Sequence, residues 1–369
     1  MTGTGPVGVA IVGCGTISSA YLRNLTAFPD VTVLACADID IERAKEQAAQ
    51  FGVPAAGAPD VALEDPDVEI VVNLTVPAAH TAVSLAAIAA GKSVWVEKPL
   101  ALDTASAREL LTAAAAAGVR IGCAPDTVLG AGLQTARRLV DEGAIGAAQT
   151  GLALLQGPGP ESWHPAPEFL FQRGAGPLFD MGPYYLTALA SVFGAASQVA
   201  AVARRSRSSR VIGSGPRAGT EFAVETATHV SALIEYASGH AATIVLSFDS
   251  PLRRHGFVEI TGASATLAMP DPNQFTGDIR VTDLDGRDWR AVPAEGADDG
   301  RGLGVLDLAR GLRTGAPHRA SGEVALHVLE IMEAIERSAE SGAFVPVRST
   351  FDRPDLLPAG WDPHVAEVA

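Results

Sequence analysis

Apolar residues fall along this chain in two patterns: short unbroken runs, and stripes spaced three to four residues apart between them. Residues 7–12 (VGVAIV) are one such run, the composition of a strand buried on both faces. Ile17, Tyr21, Leu25 and Phe28 follow at helical spacing, and Pro29-Asp30 ends that element. Residues 31–37 read as a second strand. Further strands fall at 68–74, 93–96 and 119–123, alternating with Ala-rich helices over 78–90 and 104–117 that Gly91 and Gly118 close. Repeated strand–helix units predict an α/β, doubly wound parallel sheet whose ligands bind outside the C-terminal strand ends.

After Pro125-Asp126 the pattern changes. A helix is predicted over 128–142 and a strand over 150–156, followed by a long loop rich in Pro and Gly. An apolar helix opens near Asp180 and ends near Phe193-Gly194. Two antiparallel hairpins follow, 229–236 with 241–248 and 257–261 with 265–268, and then helices near 303–314 and 323–340. The reading is two domains, 1–126 and 127–369.

Composition bounds the function classes. The chain has 369 residues, 47% hydrophobic and 19% charged, enough apolar material for two cores. No apolar run reaches the length of a membrane span and the first twenty residues carry no basic leader, so a soluble, cytoplasmic protein is expected. A net charge of −15 argues against nucleic acid as a partner, because phosphate binding gathers positive charge. Arg204, Arg205, Arg207 and Arg210 form one basic cluster in a Ser-rich stretch that reads as an exposed loop. Cys14, Cys36 and Cys123 sit in or beside apolar runs as small core residues, and without CxxC or HExxH no metal is expected.

The first strand ends in Gly13-Cys14-Gly15-Thr16-Ile17-Ser18, a dinucleotide fingerprint with Ser18 in place of the third glycine. Gly13 permits the tight turn, and Gly15 lets a pyrophosphate approach the N–H groups at the helix start. The second strand ends at Asp38. A carboxylate there accepts hydrogen bonds from the adenosine ribose and repels a 2′-phosphate; the plainer reading is an N-cap or loop acid. No Arg directly follows Asp38, so NAD is favoured over NADP. Two more segments reach the same edge, Thr75-Val76-Pro77-Ala78-Ala79-His80 and Glu97-Lys98-Pro99. The candidate cofactor residues are therefore Gly13, Gly15, Thr16, Ile17, Asp38, Thr75, Pro77, His80, Glu97 and Lys98. His80 could equally serve the start of its helix. Lys98, following a buried strand and preceding a proline, is either an active-site lysine that hydrogen-bonds a substrate hydroxyl or an exposed loop lysine.

Gly13-Cys14-Gly15 after the first strand, Glu97-Lys98-Pro99-Leu100 after a later one, and Asp180-Met181-Gly182-Pro183-Tyr184 opening a helix occur in this order. Together they resemble the Gfo/Idh/MocA family, the glucose–fructose oxidoreductase, inositol dehydrogenase and rhizopine-catabolism group. The resemblance covers nearly the whole chain. It implies a Rossmann domain followed by an α+β domain with a large, mainly antiparallel open sheet that forms a homodimer or homotetramer contact, and an active site between the domains. It also implies a catalytic set at Lys98, Asp180 and Tyr184. Tyr184 stands where many members have His, and the usual triple glycine is altered to Gly174-Ala175-Gly176. Asp126 falls near a position where members often carry Asn, and is a candidate for substrate contact.

The residues carry the chemistry independently. Asp180 and Tyr184 are i and i+4 near a helix start and share one face. An alcohol oxidation needs a base for the hydroxyl proton. A tyrosine with a reference pKa of about 10 serves only when a cation such as Lys98 stabilises its phenolate. A half-buried core tyrosine is the alternative for Tyr184, and Tyr185 suits that role equally. Trp163 and His164 either line a sugar pocket, the indole against a pyranose ring, or anchor their loop. His327 reads as a satisfied core histidine. The expected function is NAD-dependent hydride transfer on a secondary alcohol of a sugar, polyol or glycoside. The rivals are a dehydrogenase or reductase of a dihydrodiol, imine or tetrapyrrole, and a non-catalytic NAD-binding regulator. Retention of Lys98, Asp180 and Tyr184 together speaks against the regulator.

Overall fold

The computed structural model describes residues 3–283, 285–358 and 360–368. The chain begins with β1 (Val7–Val12), α1 (Ser18–Leu25), β2 (Val31–Ala37), α2 (Ile41–Phe51), β3 (Ala55–Gly57), α3 (Asp60–Leu63), β4 (Ile70–Asn73), α4 (Pro77–Ala89), β5 (Ser93–Val96), α5 (Thr104–Ala117) and β6 (Ile121–Cys123). It continues through α6 (Ala131–Asp141), β7 (Ala148–Gln156), α7 (Gly176–Phe193), β8 (Ala196–Arg204), β9 (Ser209–Val211), β10 (Glu221–Ala223), β11 (His229–Tyr236) and β12 (Ala241–Ser247). The last elements are β13 (Arg254–Gly262), β14 (Ala265–Met269), β15 (Ile279–Asp283), β16 (Arg290–Val292), α8 (Leu303–Thr314), α9 (Gly322–Ser341) and β17 (Val345–Pro346).

Contacts divide these elements into two compact units. The first takes the chain up to residue 134 and recruits 295–326 and the segment from 354 onward, which the pattern alone assigns to the later half. Its six strands are all parallel, in the order β3-β2-β1-β4-β5-β6. Every residue of β1, β4 and β5 is buried, which is why these strands read as continuous apolar runs. The recruited α8 lies so close to β5 that a Cβ on Gly304 would fall 2.0 Å from the Trp95 ring. Its first turn is held by Asp126. That carboxylate is fully buried and accepts from the N–H of Gly302 at 2.9 Å and from the Arg301 guanidinium at 3.1 Å. Farther along, Arg310 of α8 donates to buried Asp30 at 2.7 Å.

The second unit holds 135–294 and 327–353. Its main sheet has nine strands in the order β16-β15-β14-β13-β7-β12-β11-β8-β17, antiparallel except for the β7–β12 pair. α7 covers one face: a Cβ on Gly151 of β7 would meet Leu189 and Phe193 at 2.9 Å. Burial alternates along β11 and β12, so their other faces point away from this core. The helix predicted over 128–142 is broken near its start. A 3₁₀ turn at Asp126–Leu129 precedes extended Gly130, and α6 begins after it. Arg210 corrects another expectation: it does not lie on an exposed loop but in the middle of β9, its side chain 3% exposed. His327 is fully buried and satisfied. Its Nε2 accepts from the Ala196 N–H at 2.8 Å, and its Nδ1 lies 3.1 Å from the Ser349 carbonyl.

Gly13 fixes where β1 ends. Its φ of +99° is unfavourable for residues with a Cβ, and an added Cβ would lie 2.7 Å from the Leu74–Thr75 backbone. Gly13→Ala is expected to cost about 2 kcal/mol or more, read as a lower denaturation midpoint at an unchanged slope. A midpoint equal to that of the parent protein would contradict this account.

Candidate functional site

The C-terminal edge of the parallel sheet is where the sequence-predicted cofactor residues meet. Gly15 is half-buried, and an added Cβ there would meet nothing within 4 Å. No packing demand of the protein therefore explains this glycine, and the open space beside it is what a ligand approaching the loop backbone would need. Ser18 replaces the third glycine without loss: it is fully buried, and its hydroxyl donates to the Gly15 carbonyl at 2.6 Å. Asp38, 7% exposed, accepts from the Cys14 N–H at 2.7 Å and from the Asp40 N–H at 2.9 Å. These donors hold the carboxylate against the Gly-rich loop. The N-cap role belongs instead to Asp40, which accepts from the Arg43 N–H at the start of α2. Arg43 pairs with Asp40 at 3.6 Å.

This edge also leaves apolar side chains in solvent. Ile39, next to Asp38, is 93% exposed and Val76 is 67% exposed, and Thr16, Ile17 and Pro77 are exposed beside them. Single exposed apolar residues are ordinary; a set clustered where three strands end marks a ligand surface. Ile39 and Val76 were not singled out in the sequence, because exposure is invisible to hydrophobic patterning.

His80 is fully buried, its ring nitrogens 2.7 Å from the Pro99 carbonyl and 3.0 Å from that of Thr75. It ties the turn after β4 to the segment after β5, and burial pushes its pKa down. Thr75 donates to Asn73 at 2.6 Å, so the turn is fixed from both sides. Glu97 accepts from the Tyr21 hydroxyl at 2.8 Å and from the Lys98 N–H at 3.0 Å. Lys98 follows directly, half-buried. Asp126 is the helix anchor described above: burial pushes its carboxyl up, against the pull of Arg301 and the Gly302 N–H.

In the second unit a cavity of about 280 Å³ opens beside the start of α7. Asp180 and Trp163 line it, together with Ser247, Arg253, His255 and Asn273, and with apolar surface from Leu155, Met181 and Phe248. Trp163 is 63% exposed, leaving its indole available to a ligand. His164 lies outside this lining: its Nδ1 accepts from the Ala166 N–H at 3.0 Å, and its ring meets the edges of Trp163 and Phe169. Tyr184 follows Asp180 by one helical turn and is 6% exposed. Tyr185 takes a structural role, its fully buried hydroxyl accepting from the Gly256 N–H at 2.8 Å.

Both walls of the cavity hang on Arg210. Its guanidinium pairs with Glu161, two residues before Trp163, and with Asp249, just beyond β12. It also donates to the carbonyls of Pro158 and Phe248 at 3.0 Å and lies over the Phe171 ring. Arg253, His255 and Asn273 escaped the sequence reading, which took Arg210 only as part of an exposed basic loop. The three come from the start of β13 and the loop after β14, with no motif between them.

The known proteins that resemble this chain agree with the architecture. Residues 7–124 match the family model described as the oxidoreductase family, NAD-binding Rossmann fold, and residues 133–268 match the GFO/IDH/MocA C-terminal domain. A trans-1,2-dihydrobenzene-1,2-diol dehydrogenase of Oryctolagus cuniculus is 30% identical over 270 residues, 70% of this chain and 75% of the relative. An inositol 2-dehydrogenase of Ralstonia nicotianae is 33% identical over 146 residues, 38% of this chain and 42% of that protein. Among solved structures, an NAD binding oxidoreductase from Klebsiella pneumoniae superposes with a TM-score of 0.81 at 25% identity, covering 93% of this chain and 99% of the other. GenD2 from gentamicin A biosynthesis, in complex with NAD, gives 0.75 at 26% identity, with 94% and 97% covered. Among the described residues no helix is long and apolar enough to cross a membrane.

Arg210→Met leaves Glu161 and Asp249 facing each other without their cation, both less than one-fifth exposed. A loss of roughly 3 kcal/mol in stability is expected on denaturant unfolding. A variant as stable as the parent would show that the pairs do not hold this part of the fold.

Proposed function

This chain belongs to the Gfo/Idh/MocA family of NAD-binding oxidoreductases, and we propose that it transfers a hydride between NAD and a secondary alcohol of a sugar, polyol or glycoside. The carrying observation is the lining of the 280 Å³ cavity, where Trp163 and the polar groups of Asp180, Ser247 and Asn273 converge. An indole face suits the C–H face of a saturated ring, while hydroxyl, amide and carboxylate groups suit its rim of alcohols. The volume, just under the usual range of about 300–1,000 Å³ for small-molecule sites, fits a single ring. The aromatic and thioether part of the lining, with the match to a dihydrodiol dehydrogenase, supports a trans-dihydrodiol as the second reading.

In this reading the alcohol carbon gives up a hydride, its hydroxyl proton passes to Tyr184, and a ketone forms. NAD, when bound, supplies the two-electron acceptor. Gly15, Asp38 and the exposed Ile39 and Val76 are the residues that would hold it. Lys98 shares the proton transfer with Tyr184, since a phenol ionises near neutrality only with a cation's help, and Asp180 assists. NAD is preferred over NADP because Asp38 offers a carboxylate with no basic neighbour: Ile39 follows it, and Arg43 is paired with Asp40. The outer face of the nine-stranded sheet, with Val202 at 53% and Leu233 at 37% exposed, is proposed as the contact of a homodimer or homotetramer.

Lys98→Met and Tyr184→Phe are each expected to lower kcat by about 100-fold or more, read as NADH absorbance with sugars, inositols and a trans-dihydrodiol. Intrinsic fluorescence titration should still report NAD binding. Full turnover in either variant would remove that residue from the proton-transfer pair.

The same titration should give a Kd for NAD at least about tenfold below that for NADP, with Asp38→Asn narrowing the gap. Equal affinities in the parent protein would sink the assignment to Asp38.

A further inference from the structure

The cavity of the second unit sets one guanidinium and one imidazole against a single carboxylate. Among its described lining residues Asp180 is the one carboxylate, while Arg253 brings a guanidinium and His255 an imidazole. Among the described residues no carboxylate pairs with Arg253, in a protein with fifteen more acidic than basic side chains.

The backbone under these two residues is irregular and firmly held. The register of β13 against β7 shifts between Arg254 and Phe257, a bulge that breaks the strict alternation of side chains. Gly256 makes the bulge possible: its φ is +68°, and an added Cβ would fall 2.4 Å from Asp271. The Tyr185 hydroxyl pins it by accepting the Gly256 N–H. On the other side of Arg253, Asp249 is held by Arg210 and by the Thr228 hydroxyl at 2.6 Å. The segment carrying Arg253 and His255 is thus anchored at both ends. Room for the imidazole comes from Gly157, whose absent Cβ would sit 3.2 Å from His255 Nε2. Arg254, between them, turns to Gln156 at 2.9 Å.

We propose that Arg253 and His255 bind the carboxylate of a sugar acid, so that the preferred substrate is a hexuronate or aldonate rather than a neutral sugar. This rests on the reading of the cavity as the substrate site. A guanidinium binds a carboxylate through parallel N–H donors, and an imidazole N–H can supply a further donor. One fixed positive charge, with Asp180 already in the cavity, matches a monoanion better than a phosphate dianion. The oxidation itself is unchanged: the substrate carbon gives up a hydride, which NAD would accept when bound, its hydroxyl proton passes to Tyr184, and a keto acid is the product.

The test uses the full chain with NAD. Initial rates are compared for D-glucuronate, D-galacturonate and D-gluconate against D-glucose, D-galactose and sorbitol, with glucose 6-phosphate alongside. For at least one acid, kcat/KM should exceed that of its neutral counterpart by about 10- to 100-fold. Arg253→Gln should shrink this acid-to-neutral ratio at least about tenfold, through KM. Neutral sugars preferred throughout, or a ratio untouched in the variant, would overturn the proposal, and so would a preference for the phosphate ester. If a trans-dihydrodiol is oxidised and no sugar of any charge is, the parent reading fails. Calorimetry of the three acids with the NAD-loaded protein then decides the anion site. Saturable binding weakened about tenfold by Arg253→Gln sustains it, and no binding by any of them overturns it.

Discussion

The second unit's cavity is held open by one buried cation. Arg210 reaches Glu161 on one side and Asp249 on the other, and from these two pairs the loop bearing Trp163 and the loop bearing Arg253 take their positions. A guanidinium taken from water costs several kcal/mol and is tolerated only with near-complete pairing. Here the pairing is supplied by two carboxylates, two backbone carbonyls and the face of Phe171. The same expense makes the arrangement specific. Any rearrangement that frees one wall strands a charge, so two loops that could have moved separately are fixed together.

The first unit uses the same device for a different purpose. Asp126 and Asp30 are fully buried, and their partners Arg301 and Arg310 come from a segment far along the chain. These pairs bring α8 against Trp95 and complete the packing around the parallel sheet. With that sheet fixed, the turns after β1, β2, β4 and β5 reach one edge, where Asp38 braces the Gly-rich loop and His80 braces the segment that carries Lys98. The candidate cofactor residues thus stand on rigid strand ends, the place where ligands bind in open α/β sheets.

Much of this was legible in the residues. Continuous apolar runs announced the parallel strands, the Gly13–Asp38 spacing announced the Rossmann unit, and alternation announced the hairpins of the second sheet. What escaped was anything set by partners distant in sequence. Arg210, in a basic and Ser-rich stretch, has the composition of a surface loop, and only its two carboxylates reveal it as a buried tie. Asp126 lies near a position linked to substrate by family likeness, yet its carboxylate is consumed by the start of α8. Tyr184 and Tyr185 were interchangeable as core residues until the Gly256 N–H placed Tyr185 in that role.

The sequence by itself determined the class of fold, the NAD-binding Rossmann unit and the family, because these rest on local periodicity and on motifs whose residues act within one strand–turn–helix unit. Only the tertiary structure decided which side chains share a cavity. Arg253, His255 and Asn273 converge with Trp163 and Asp180 through a bulge, a glycine gap and a buried ion pair. None of these has a sequence period, since each is a contact between segments that the chain keeps dozens of residues apart.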